Sequence, residues 1–335
     1  MGVNNAMYKY EVDVSVLLLF FNNSERFSKV FDRVKQARPS RLFLYQDGPR
    51  PGKNDEHGIE ECRKIIEDEV DWECEIHKHY CSKNQGCDPS EYLAQKWAFS
   101  LTDKCIVLED DDVPAVSFFR FCKEMLDKYE NDTRITMITG LNFDEITPNI
   151  PYDYFFTSVC PIWGWASWKR VIDNWDSEYS FLNDEIALRQ LKALIKEKKE
   201  MPNFIEFCEK HKESGIEYYE SICASYNYLN SGLGITPTKN MIKNIGVSGG
   251  VHYSGDLDIL PEAEKKIFTM NTYELNGEIV HPKYVIEEYS YKDRVNFILC
   301  RNHPFEAKIR KIKILFLRIK YRGIIDTIKY VLKKR

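Results

Sequence analysis

The residues best suited to chemistry sit together at 105–112, where Cys105, Ile106, Val107 and Leu108 run directly into Glu109, Asp110, Asp111 and Asp112. A short apolar run bounded by polar residues reads as a core strand of a parallel sheet. Ligands of open α/β sheets gather at the carboxyl ends of such strands. Adjacent carboxylates repel one another, so the cluster requires a cation or a well-solvated turn. Hard oxygen ligands suit Mg2+ or Mn2+, and ions of that kind commonly hold a diphosphate as well. On spacing alone, an acidic turn without any ion is equally common.

Other candidates are spread along the chain. Asp47 lies in Gln46-Asp47-Gly48-Pro49-Arg50, a turn on any reading; at the end of a strand it could accept a hydrogen bond from a base or ribose. Asn84-Gln85-Gly86-Cys87 is a second turn. Trp163, Trp165 and Trp168 surround Gly164, either as the core of a strand-to-helix corner or as an aromatic wall for a ligand, with Trp163 assigned to the core. Tyr218, Tyr219 and Glu220 fall in the first turn of an expected helix. The Gly-rich stretch 244–252 ends in His252 and reads as a mobile loop that closes over a ligand, or as a plain surface loop. His77 and His79 share one face of an expected strand and are read as surface residues outside any metal site.

The elements that must position these residues follow from periodicity. A strand at 12–21, a helix at 24–37 capped by Ser24 or Asn23 and stopped by Pro39, and a strand at 41–45 form a βαβ unit. A helix at 56–69, a strand at 72–80, and a helix at 91–101 capped by Asp88 or Ser90 lead into the acidic strand. Beyond it, Phe118, Phe119, Cys122, Met125 and Leu126 mark a helix. Strands are expected at 134–139, 152–158 and 232–237, and helices at 183–199, 203–212 and 217–230.

At 335 residues the chain can bury one large domain or two closely joined halves. Its 43% hydrophobic and 30% charged residues are those of a soluble globular protein. The 20 Tyr, 19 Phe and 6 Trp suit a pocket that stacks sugar rings. Ten cysteines without a CxxC pair read as reduced core residues of a cytosolic protein. The first residues lack a signal-peptide pattern, and the apolar run 14–21 is too short to span a bilayer. Charge is uneven: from Lys292 onward there are 14 Lys and Arg against 3 Asp and Glu, a balance of +11, while the remainder holds 33 against 49, a balance of −16. The acidic body argues against a nucleic-acid partner, and an anionic partner is expected for the tail alone. Ile309, Ile312, Leu315, Phe316 and Ile319, then Ile324, Ile325, Ile328, Val331 and Leu332, recur at helical spacing among basic residues. This is a basic amphipathic pair, either packed on its own domain or lying on an anionic membrane surface.

Several pieces occur in a telling order: a first strand ending at Asn22, Leu-Phe-Leu-Tyr-Gln-Asp-Gly-Pro-Arg (42–50), Asn-Gln-Gly-Cys (84–87), Leu-Glu-Asp-Asp (108–111), Ile-Trp-Gly-Trp-Ala-Ser-Trp (162–168), Gly-Leu-Gly-Ile-Thr-Pro (232–237) and Asn-Ile-Gly (244–246). In that order they resemble a GT-A glycosyltransferase, and more narrowly a bacterial group distantly similar to eukaryotic N-acetylglucosaminyltransferase I. The resemblance covers roughly 14–252. It implies an α/β fold, Rossmann-like, with a mixed central sheet. It places a catalytic domain at 1–255, with a nucleotide-binding half at about 1–115 and an acceptor-binding half at 116–255, followed by a C-terminal extension at 256–335 with basic amphipathic helices. It implies that Asp111 binds Mn2+ or Mg2+, that Glu109 and Asp110 face ribose and diphosphate, and that Asp47 reads a uracil. Asn22, Asn84, Gly86 and Trp165 fall on the donor side, and His252 near the phosphates. Glu220 stands where the family usually has an Asp as general base. The related Trp-Gly-Trp of galactosyltransferases is followed by acids, whereas here Ala166 and Ser167 follow, so no base is expected there.

The implied activity moves a sugar from a UDP-sugar to a hydroxyl of a glycan or lipid-linked glycan in bacterial surface polysaccharide synthesis. One base opposite the leaving group implies inversion. The implied location is cytoplasmic, peripheral on the inner face of the cytoplasmic membrane. Two rival readings stand beside it. A sugar-phosphate nucleotidyltransferase would open with a Gly-rich basic loop, where this chain has Phe21-Asn22-Asn23-Ser24. A non-catalytic, membrane-associated nucleotide-sugar-binding protein would have no need of the intact acidic cluster.

Overall fold

The first half of the chain alternates strand and helix because apolar runs alternate with amphipathic stripes. In the computed structural model, which describes residues 8–247 and 257–333, these are β1 (Val12–Phe20), α1 (Ser24–Ala37), β2 (Pro39–Gln46), α2 (Glu56–Glu69), β3 (Glu75–Tyr80), α3 (Cys87–Leu101) and β4 (Lys104–Glu109). The chain continues through β5 (Asp112–Pro114), α4 (Ser117–Lys128), β6 (Ile135–Thr139), β7 (Tyr154–Thr157), β8 (Trp165–Trp168) and α5 (Lys169–Ile172). Next come α6 (Glu185–Glu197), α7 (Phe204–Ser214), α8 (Tyr219–Leu229), β9 (Leu233–Pro237) and β10 (Ile242–Asn244). The last four helices are α9 (Glu262–Thr269), α10 (Tyr289–Ile298), α11 (Pro304–Arg322) and α12 (Ile324–Lys333).

One eight-stranded sheet runs β3-β2-β1-β4-β8-β6-β9-β7. Strands β3, β2, β1 and β4 are parallel, with Leu19 opposite both Tyr45 and Glu109. Their carboxyl ends therefore share one edge, which brings the ends of β1, β2 and β4 together. Strand β8 enters antiparallel between β4 and β6, and β9 is parallel to β6. The chain is thus α/β with a mixed central sheet, the class expected from its sequence. β1 is buried from Val14 to Phe20, as a strand covered on both faces must be. Phe27, Val30, Phe31 and Val34 form the buried stripe of α1, with Phe27 stacked on Phe20 at 4.5 Å. Each such side chain contributes roughly 1.5–3 kcal/mol on burial.

Several boundaries differ from the sequence reading. Asn23 caps α1, its side chain accepting from the Arg26 N–H at 3.0 Å, and the helix ends where Arg38 turns left-handed, while Pro39 already belongs to β2. Helix α3 starts at Cys87, four residues early, with Gly86 rather than Asp88 or Ser90 at its N-cap. Pro89 is tolerated in that first turn because its missing N–H has no helical partner to lose. The third strand starts at Glu75, because Trp72 turns inward and donates its indole N–H to the Pro39 carbonyl at 2.8 Å. His77 and His79 stack on Phe43 and Tyr45 of β2 at 4.7 and 5.0 Å.

Residues after 257 divide into two kinds. Tyr291 and Val295 of α10 pack on Phe155 and Val159, and Ile267 and Met270 pack on Leu141. Lys292 is buried against Glu200 and Glu287, so it belongs to an interior ion cluster and not to the basic tail. By contrast α11 buries no residue. Arg310 ties α11 to Glu264 of α9 and to the Ile298 carbonyl of α10, and Arg318 ties it to Asp326 of α12 at 2.7 Å.

Candidate active site

The acidic strand ends where three other elements meet it. Asp110 and Asp111 form the turn after β4, and Asp112 opens β5, which pairs antiparallel with β10 so that Asp112 lies opposite Asn244. The Asn244 side chain donates to both Asp111, at 2.8 Å, and Asp112, at 3.1 Å. Asp112 is fully buried and also accepts the Gly164 N–H at 2.9 Å, which ties the acidic turn to the Trp163-Gly164-Trp165 corner. Asp110 accepts the Phe21 N–H at 3.4 Å, which ties the turn to the end of β1. Glu109 accepts the hydroxyl of Tyr219, the first residue of α8, at 3.3 Å. The Asn-Ile-Gly stretch is pinned here: Ile245 donates its N–H to the Asp111 carbonyl at 2.8 Å, and a Cβ on Gly246 would stand 1.9 Å from Asp111 Oδ2. Only glycine admits the Asp111 carboxylate at that place.

Burial pushes all four acids up. Asp110 is raised to about 7 by loss of water and then by Asp111. Glu109 is raised by burial, then by Glu91, Asp112, Asp111 and Asp110. Asp112 is raised by burial and by Asp111, and Asp111 by burial. Arg26 of α1 opposes the rise at Asp110 and Asp111. A turn held in this state favours either protons or a bound cation. Asp111 fits a divalent ion in that its donor is a hard oxygen, held by Asn244 and packed close against Gly246. Glu109, Asp110 and Asp111 do not bring three carboxylate oxygens within ligand spacing among the described residues.

A second layer sits beside the turn and is saturated. Asp47 accepts from the N–H groups of Gly48 (2.8 Å), Gln85 (2.8 Å) and Gly86 (3.1 Å) and from the Asn84 side chain (2.7 Å). These four bonds use the whole acceptor capacity of a carboxylate. Asp47, Asn84 and Gly86, all expected on the donor side, therefore clasp two loops to each other. Asn22 donates its side-chain amide to Asp55 at 2.7 Å, and Asp55 holds Arg50 through both guanidinium and backbone. That ion pair holds the Asp55 carboxyl down at about 2.

The tryptophans sort differently from the reading of the sequence. Trp165 is 1% exposed, with Tyr219 stacked over it at 6.5 Å and Trp175 at 6.3 Å. Trp165, expected on the donor side, forms the floor under Tyr219. Trp163, assigned to the core, is the half-buried one, against Phe268 at 5.2 Å. Trp168 is core, its indole N–H on the Leu126 carbonyl at 2.9 Å.

Glu220 lies next to Tyr219 in the first turn of α8, on the side of α3 that carries Asp88 and Glu91. Burial pushes the Tyr219 hydroxyl well up, and Glu109, Glu91 and Glu220 add to the rise, so the candidate base lies within electrostatic reach of the residue that meets the acidic strand. His252 lies outside the described residues. Four participants were not singled out from the sequence: Arg26, Glu91, Tyr219 as a ligand of Glu109, and Asn244. The Asn-Ile-Gly motif was the one signal pointing at Asn244.

No family model and no curated protein matches the sequence. Among solved structures, the chain is similar to apo UDP-glucose pyrophosphorylase at a TM-score of 0.35 and 10% identity, over 70% of this chain and 93% of that one. It is similar to mouse xyloside xylosyltransferase 1, apo form, at 0.32 and 12%, over 54% and 76%. It is also similar to HddC from Yersinia pseudotuberculosis complexed with GMP-PN, at 0.31 and 11%, over 48% and 79%. At these scores and identities the likenesses assign no activity.

Proposed function

We propose that the chain is a metal-dependent, inverting glycosyltransferase that moves a sugar from a UDP-sugar to a glycan or lipid-linked glycan hydroxyl in bacterial surface polysaccharide synthesis. The observation that carries this reading is the meeting of the acidic end of β4 with the first turn of α8 through the Tyr219–Glu109 bond. Asp111 holds the divalent ion, steadied by Asn244. That ion, Mn2+ or Mg2+, supplies charge neutralisation for the departing nucleoside diphosphate. Glu109 and Asp110 face the ribose and diphosphate, and Arg26 lies within electrostatic reach of the same turn. Asp47, Asn84, Gly86 and Asn22 hold the loops that frame the nucleotide, and Trp165 supports Tyr219. Glu220 takes the proton of the acceptor hydroxyl. A single base across from the leaving group gives inversion. The exposed apolar and basic faces of α11 and α12 hold the enzyme on the inner surface of the cytoplasmic membrane, where lipid-linked acceptors reside.

The test is calorimetry with UDP and Mn2+. Wild-type protein is expected to bind UDP only when the ion is present. Asp111→Asn keeps the size and removes one charge, and is expected to weaken binding on the order of 10-fold or more. Unchanged metal-dependent binding in that variant would remove Asp111 from the site. A screen of nucleotide sugars for metal-dependent release of UDP then names the donor. Formation of UTP from pyrophosphate in the same screen would identify the nucleotidyltransferase instead.

A further inference from the structure

Helix α3 turns a second acidic face toward the same edge. Its early start at Cys87 places Asp88 and Glu91 three residues apart within one helix, hence on one side of it. Helix α8 packs against that side and opens with Tyr219 and Glu220. Asp88, Glu91 and Glu220 each bring one carboxylate oxygen to within 4.8 Å of the others. Oxygens bound about 2.1–2.5 Å from one ion stand no more than about 5 Å apart. The spacing is therefore compatible with ligands around a common cation.

A second observation is independent of the spacing. Glu91 is 7% exposed; its Oε1 receives the weak thiol donor of Cys87 at 3.2 Å, and its Oε2 has no hydrogen-bond partner among the described residues. One turn further along the same helix, Gln95 is 1% exposed with its Oε1 also unpartnered. Buried polar groups are ordinarily hydrogen-bonded, and a buried anion is ordinarily paired or bound to a metal. No Lys or Arg is hydrogen-bonded to or ion-paired with Glu91 among the described residues. Burial, and then Glu220, push the Glu91 carboxyl well up, so the setting favours either a proton or a bound cation.

We propose that Asp88, Glu91 and Glu220 bind a hard divalent cation at a site separate from Asp111. It shares Glu220 with the function proposed above but does not depend on donor binding or turnover. An ion there would neutralise the α3 face and hold the Glu220 carboxylate in place at the start of α8.

The experiment is a titration with Mn2+ alone, without nucleotide, followed by calorimetry and by the electron paramagnetic resonance of the free ion. Wild-type chain is expected to bind two ions. Glu91→Gln and, separately, Asp88→Asn should each leave one, with the other site weakened on the order of 10-fold or more. Asp88 is the less buried of the two, so its variant covers the case in which Glu91→Gln does not fold; circular dichroism checks both. One ion lost in Glu91→Gln but kept in Asp111→Asn supports this site and sinks the assignment of Asp111. One ion lost in Asp111→Asn but kept in both α3 variants overturns the proposal, as do two ions undiminished in both.

Discussion

A carboxylate whose lone pairs are filled can position but cannot bind, and this separates the acids of the site. Asp47 carries four hydrogen bonds and Asp55 carries a bidentate arginine. Asp144 is likewise filled, held bidentately by Arg294. Glu220 stays the proposed base by its place in the first turn of α8 beside Asp88 and Glu91, with Glu217 two residues before the helix as its control. Glu220→Gln should lower turnover on the order of 100-fold or more while donor binding persists. Full activity in Glu220→Gln together with loss in Glu217→Gln would move the base to Glu217. The Asp55–Arg50 pair gives a pH signature. Its folded value of about 2 lies below the ordinary 3.8, so the stability it contributes is present above about pH 4 and fades as pH falls through 2. Asp55→Asn should cost on the order of 2 kcal/mol at pH 7. Melting curves of variant and wild type should converge near pH 2, and a gap independent of pH would show that the ionised pair is not its source.

Among elements, the short β5–β10 ribbon does more for the site than its length implies. Through Asn244 it holds two of the four acids, and through Gly246 it leaves space for one of them. Gly246→Ala places a methyl group 1.9 Å from Asp111 Oδ2 and must push that carboxylate off its Asn244 bond. Mn2+ binding at Asp111 should weaken on the order of 10-fold with little change in melting temperature; undiminished binding would mean that the loop yields freely and takes no part in the site. Strands β1, β2 and β4 of the parallel half were legible in the sequence because strands buried on both faces read as apolar runs, and the acidic end of β4 stood out for the same reason. The ribbon was not legible: three-residue strands are too short for periodicity to show. Nor was the insertion of β8 between β4 and β6, which rests on pairing across more than fifty residues. The acidic face of α3 was missed because side-chain capping rules favoured Asp88 or Ser90, whereas Gly86, at φ 94°, takes the position itself. Starting the helix at Cys87 is what brings Asp88 and Glu91 onto one side.

At the scale of the molecule, charge and apolar exposure separate from the body together. Between 304 and 333 there are nine Lys and Arg against two Asp and Glu. Phe316 and Ile325 are 69% and 73% exposed, and none of the residues of α11 is buried. The stripe that the sequence left open between self-packing and a surface role is thus not covered by the chain's own core. No described helix is long and apolar enough to cross a membrane. Contact with a lipid surface would therefore lie in its plane, with each Lys or Arg that reaches an anionic headgroup contributing about 1 kcal/mol, less in salt. Reversible binding is expected, strengthening with anionic lipid and weakening with ionic strength. Sedimentation with vesicles of graded anionic content checks this, comparing the whole chain with one ending after Asn302, whose side chain still anchors to the Glu200 carbonyl at 2.8 Å. A paired variant, Phe316→Ser with Ile325→Ser, keeps every cation and removes two apolar anchors, so it should bind more weakly at a given salt concentration while melting as wild type does. If the whole chain fails to pellet at low salt, or the shortened chain pellets equally well, the tail does not dock on lipid, and its exposed face must be assigned to another partner.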